Sequence, residues 1–229
     1  MTLDTSEEQA ARAPLSPGRI ARAAVALADE EAMEAVTMRG VAQRLSVEAM
    51  SLYHHVKNKE ALLNGMVDVI VEEITAELDS MDAIEDWKER LRTRILTARR
   101  VMLRHPWAPP MIETRTAMSP HLLRYFDAVL GTMLEGGFSY DLAHHAMHAL
   151  GSRALGFNQE LFAPDDSAPD DGGSVSVSEM AEQVPNLVAM LTEVVHDDPD
   201  STLGWCDDQT EFEFGLDLLL DGLERRASI

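Results

Sequence analysis

Four basic residues, Arg39, Arg44, Lys57 and Lys59, lie within 24 positions that carry a single acid, Glu48, so the stretch 36–59 has a net charge of +3. Tyr53, His54 and His55 sit among them. Cations interleaved with hydrogen-bonding aromatic rings are the side chains that grip phosphate oxygens and touch base edges. A second group, His144, His145 and His148, places two imidazoles one helical turn apart, a spacing that can chelate a metal, but no third Cys or acidic ligand lies near them in sequence. These histidines are read as lining a pocket or a dimer interface. No nucleophile elbow, Gly-rich phosphate loop or paired metal motif is present, so the chain is not read as an enzyme.

The basic island stands out against its background. The 229 residues carry 19 Lys+Arg and 40 Asp+Glu, a formal charge of −21. Taken whole, that is the wrong sign for a nucleic-acid binder. Yet residues 154–224 contain 18 acids and no Lys or Arg, so the anionic charge is concentrated at the other end. Such asymmetry points to a polyanion contact at one end only. The anionic part must stay beyond the roughly 8–10 Å over which salt screens charge.

The elements that position these residues read as helices. Hydrophobic residues make up 45% of the chain and aromatics 5%, while Met reaches 13, a mix that suits helices better than strands. Ser16-Pro17 is an N-cap followed by proline, and Ile20, Ala24, Leu27 and Ala28 follow at helical spacing. Thr37 caps a helix over 38–45, Ser46 marks a turn, and a helix over 47–54 follows. Asn58 then caps a long helix to about residue 78. Further helices are expected over 84–103, 119–134, 140–162, 178–196 and 207–226. Pro106, Pro109 and Pro110 interrupt the series, and Gly136-Gly137 separates two helices. The expected fold is all-α: an N-terminal three-helix helix-turn-helix domain followed by a larger helical ligand-binding and dimerisation domain. A tail over 1–15 is expected to be frayed, the helix-turn-helix domain to span 16–62, and the second domain 63–229, with a flexible Asp/Pro/Gly/Ser-rich loop at 164–178. The single cysteine, Cys206, cannot form an internal disulfide. With no apolar run of about 18 residues and a polar start, the chain is expected to lack a membrane span or signal peptide and to work in a reducing cytoplasm.

Residues 37–55, TMRGVAQRLSVEAMSLYHH, place two short helices across a tight turn. Val41, Leu45, Val47 and Leu52 face inward, and Glu48, Ala49, Ser51, Tyr53, His54 and His55 face outward. With the following SLYHHVKNKEALL, residues 17–78 resemble the DNA-binding domain of the TetR family of transcriptional repressors, and the tetracycline repressor branch in particular. The segments GGFS at 136–139 and FEFGLDLLLDGLE at 212–224 are similar to that family's second domain. The resemblance implies that Thr37, Arg39, Ala49, Met50, Ser51, Tyr53, His54, His55 and Lys59 face double-stranded operator DNA, with Lys59 a phosphate anchor. It also implies a homodimer through helices near 140–162 and 207–226, and a small-molecule effector that releases the operator. Ala49 and Met50 can offer only apolar contact, for example to thymine methyls, so the operator is expected to differ from tetracycline operators. Effector contacts are sought at His105, Trp107, Met111, Met118, Phe126, Met133, His144, Met147, His148 and Phe157. Glu160 falls near the glutamate that holds a drug–magnesium complex in tetracycline repressors, but Ile112-Glu113 stands where their histidine lies, so neither magnesium nor another cofactor is expected. The sequence leaves open activation rather than repression, a ligand-binding protein that has lost its DNA reading, and a metal-assisted enzyme.

Overall fold

A computed structural model describes residues 14–114, 118–156, 183–186, 188–189 and 208–228. The described residues are helical, with no strand among them. The helices are α1 (Pro17–Glu31), α2 (Met38–Arg44), α3 (Ala49–Tyr53), α4 (Lys59–Asp79), α5 (Trp87–Arg104), α6 (Ala108–Glu113), α7 (Pro120–Glu135), α8 (Tyr140–Gly156) and α9 (Asp208–Ala227). A 3-10 turn at Met33–Ala35 links α1 to α2. The expected tail, the 164–178 loop, most of the 178–196 helix, Phe157 and Glu160 lie outside the described residues.

Capping side chains set the starts. Ser16 accepts from the Arg19 amide at 3.3 Å, Thr37 from Gly40 at 3.0 Å, and Asn58 from Ala61 at 2.8 Å. Ser119 accepts from Leu122 at 3.1 Å, ahead of Pro120. Each such cap is worth about 1 kcal/mol. Two starts differ from the sequence reading by more than one residue. α3 begins at Ala49 because Val47 is still in the turn, its amide bonded to the Ala42 carbonyl at 3.0 Å. α5 begins at Trp87 because Asp86 caps it, accepting from the Glu89 amide at 2.8 Å.

The chain divides into two compact units, residues 1–148 with 227–229, and residues 149–226. In the first unit α1 packs on α4, α2 on α1 and α3, and α4 on α5, α6 and α7. The expected domain division near residue 62 falls inside α4, an uninterrupted helix of 21 residues. At the α1–α4 crossing a Cβ on Gly65 would lie 3.2 Å from the Ala21 methyl, so the small residue sets the approach. Buried Leu62, Met66, Val69, Ile70 and Ile74 give α4 its core face. After α7, Gly137 takes a left-handed φ of +84°, and a Cβ on Gly136 would meet the Trp87 ring at 2.6 Å. Trp87 stands edge-on to Phe138 with ring centroids 5.0 Å apart.

In the second unit α9 buries Phe212, Leu216, Leu220 and Leu223 along one face. Phe214 and Leu218, one turn apart on another face, are exposed.

Candidate nucleic-acid interface and ligand cavities

The helix-turn-helix is held by apolar packing within the chain. Val41 and Leu52 are fully buried, and Val56 seals the end of α3. Between α2 and α3, Ser46 adopts φ +55°, the left-handed conformation that lets the chain reverse within one residue. Gly40 is required by space: a Cβ there would approach the Ala35 carbonyl oxygen at 2.6 Å.

This scaffold presents the residues singled out for DNA contact. Arg39, His54, His55 and Lys59 are exposed, Tyr53 is exposed, and Ala49 and Ser51 are half-buried. Met50 is 71% exposed, an apolar side chain that the chain itself leaves in water. Thr37 is exposed, and its hydroxyl accepts the α2 capping bond, which leaves its hydrogen free to donate outward. Arg39, Lys57 and Lys59 have no carboxylate within ion-pair distance among the described residues. Arg44 differs. Its guanidinium holds Glu30 in a two-pronged pair at 2.7 and 2.6 Å. The pair holds the Glu30 carboxyl below its ordinary range and tethers α2 to the end of α1.

The residues expected to meet an effector are dispersed. His105 is buried, with Nδ1 2.9 and 3.0 Å from the two Asp29 carboxylate oxygens and Nε2 3.2 Å from Glu73. The Trp107 indole N–H donates to Asp29 at 2.6 Å. These two residues therefore join α1, α4 and the α5–α6 turn. Met111 and Met133 are buried, Phe126 and Met147 are half-buried, and Met118 is exposed. His144 and His148 stack edge-on at 4.7 Å but are both exposed on α8. Among the described residues no group of three or more His, Cys, Asp or Glu is placed to hold a metal.

Two cavities open elsewhere in the first unit. One, of about 330 Å³, lies between α1 and α4 and is lined by Arg22, Gly65, Asp68 and Glu72 among others. The second, of about 410 Å³, lies between α4, α5 and α7, with Thr75, Ala76, Arg94, Arg124, Tyr125 and Ala128 in its wall. Glu72 and His121 line both. Sequence reasoning misses these lining residues.

Residues 20–66 match the family described as bacterial regulatory proteins, tetR family, and residues 82–227 match the tetracyclin repressor-like, C-terminal domain. The chain is 30% identical over 216 residues to the tetracycline repressor protein class A from transposon 1721 of Escherichia coli, covering 94% of this chain and 93% of that one. A possible TetR family transcriptional regulator from Streptomyces coelicolor A3(2) superposes with a TM-score of 0.68 at 29% identity, covering 92% of this chain and 99% of that structure. The fold is also that of ActR from Streptomyces coelicolor, solved in complex with (S)-DNPA, with a TM-score of 0.70 at 24% identity over 94% of this chain and 100% of that one.

Proposed function

This chain belongs to the tetR family of bacterial regulatory proteins, and from that premise we propose how it carries out ligand-responsive, DNA-binding repression. The chain works by binding alone, without catalysis, where the cell's DNA is. Two copies pair, and their α3 helices enter successive major grooves about 34–36 Å apart. The observation that carries the reading is the set of exposed cations on the helix-turn-helix head, α1–α3 with the first turns of α4. In a chain of net charge −21, Arg39, Lys57 and Lys59 are kept free of carboxylates next to an exposed helix ending in Tyr53. Phosphate is the partner that such residues lack. Met50, half-buried Ala49 and Ser51 supply the base-edge contacts, apolar at the first two positions.

Pairing has its own support. Phe214 and Leu218 on α9 are 62% and 55% exposed, an apolar pair that costs free energy in water and suits a second copy. The effector enters the cavity between α4, α5 and α7. α4 lines that cavity with Val71–Asp79 and packs under α1 of the head with its earlier turns. One rigid helix thus joins ligand to head. A ligand that binds better to the form with wrongly spaced α3 helices releases the operator.

The test is fluorescence anisotropy with duplex DNA from upstream of the chain's own gene, alongside sedimentation to fix the oligomeric state. A dimer should bind that DNA with affinity falling steeply as salt rises. Lys59→Ala should weaken binding to all sequences alike, and Ser51→Ala should change the sequence preference. Uniform loss in both variants, or a molecule that stays monomeric, overturns the reading.

A further inference from the structure

The side chains around the α4–α5–α7 cavity set the chemical class of what it takes. Among the described residues only two buried side-chain polar atoms lack a hydrogen-bond partner, and one is Nε of Arg94, a residue that lines this cavity. A buried guanidinium N–H without an acceptor is costly, because its desolvation is not offset. Three other arginines of α5 are satisfied: Arg90 pairs with Glu135, Arg100 with Glu77 at 2.8 Å, and Arg104 with Glu77 at 2.7 Å. Arg94 instead lies over the Tyr125 ring, 5.6 Å from its centroid. A guanidinium laid over a ring keeps its in-plane N–H groups available for a planar, two-oxygen acceptor. Arg124, also in the wall, has no ion pair among the described residues.

The acids in the wall do not fill this role. Glu72 is 3.8 Å from both Arg22 and His121, and Asp79 is exposed at the last position of α4. Val71, Ala76, Leu78, Ala128 and the Tyr125 ring give the rest of the surface an apolar character.

We infer that the cavity between α4, α5 and α7 takes an aromatic organic anion, its carboxylate held by Arg94 and its ring system against Tyr125 and the neighbouring apolar residues. Burial raises the Tyr125 hydroxyl to about 12, so it stays neutral beside the anion and can donate to it. The inference rests on the reading of this cavity as the effector site and adds the charge and shape of the effector. The Arg94 guanidinium makes recognition selective: a neutral amide of the same shape offers one oxygen and no charge, and an amine meets two cations, Arg94 and Arg124.

The experiment uses the full-length dimer and three matched probes: 2-naphthoate, 2-naphthamide and 2-naphthylmethylammonium. Binding is measured by calorimetry and by thermal shift in the wild type, in Arg94→Met and in Ala128→Trp. Arg94→Met keeps the packing length, and Ala128→Trp puts a large ring at the exposed rim of the cavity and blocks its mouth. Naphthoate should bind the wild type at least about tenfold more tightly than the amide, the scale expected of one charge-assisted hydrogen bond over a neutral one. Arg94→Met should erase that preference while leaving amide binding in place, and Ala128→Trp should abolish both. Equal or stronger binding of the amide or the amine overturns the anion inference and leaves the cavity reading standing. So does an anion preference that survives Arg94→Met. Probe binding that persists in Ala128→Trp overturns the cavity reading itself. Absence of binding by all three probes to a folded wild type overturns the anion inference, while anisotropy with the upstream DNA reports separately on repression.

Discussion

Three cations of the head and three of α5 are handled in opposite ways. Arg39, Lys57 and Lys59 stand in water with no carboxylate near them among the described residues, whereas Arg90, Arg100 and Arg104 are each clamped to a glutamate on a neighbouring helix. The difference separates two uses of one charge. On Arg90, Arg100 and Arg104 it ties α5 to α4 and α7, and on Arg39, Lys57 and Lys59 it is held back for a partner outside the chain.

The largest effect expected removes the scaffold and leaves every charge in place. Leu52→Ala should cost about 2–5 kcal/mol, because Leu52 is fully buried and locks α3 to the rest of the head. Thermal melting should fall by many degrees, and operator binding should be lost with it; a stable variant that still binds would show that the cations act without the helix beneath them. Next, the double variant Arg39→Ala/Lys59→Ala should weaken operator binding by roughly ten- to a hundredfold. It should also flatten the log–log salt dependence by about 0.9 for each phosphate no longer neutralised. Arg104→Ala should leave that slope unchanged while lowering stability by about 1 kcal/mol or less. Equal slopes for the two variants would erase the contrast.

A smaller effect of opposite sign is expected at Ala32, whose φ of 68° and ψ of 170° lie in a region open essentially to glycine alone. Ala32→Gly should raise stability by about 1 kcal/mol, read as a higher urea midpoint. The smallest effect concerns acid. Arg104 and Arg100 hold the Glu77 carboxyl below its ordinary value of 4.5, so this pairing stabilises the fold fully above that value and is lost as pH falls below it. The stability difference between wild type and Glu77→Gln should therefore be roughly a few tenths of a kcal/mol at neutral pH and vanish in strong acid. No comparable loss is expected for Lys59→Ala, since Lys59 has no carboxylate to lose.

The head is nearly all legible in the sequence because its determinants are local. Ser16, Thr37 and Asn58 cap where their type and position demand, and Ser46 takes the left-handed turn that its place between two helices requires. The cavity is not legible. It exists because Thr75, Ala76 and Ala128, from two helices far apart in sequence, leave space that Arg94 and Tyr125 border, and no periodicity reports a void. His105 shows the same limit from the other side. Its place in the proline-broken segment suggests a ligand contact, but its ring lies between Asp29 and Glu73, 76 and 32 positions away.

That arrangement bears on protein engineering. Asp29, on the last turns of α1, is the shared acceptor for His105 and Trp107, so the head carries half of a lock whose other half is encoded 76 and 78 residues later. A hybrid sensor made by grafting this head onto a foreign trunk at the α4 junction would strand a carboxylate that has lost two donors. Swaps of this kind should succeed when the His105–Trp107 segment travels with the head, or when position 29 is neutralised at the same time.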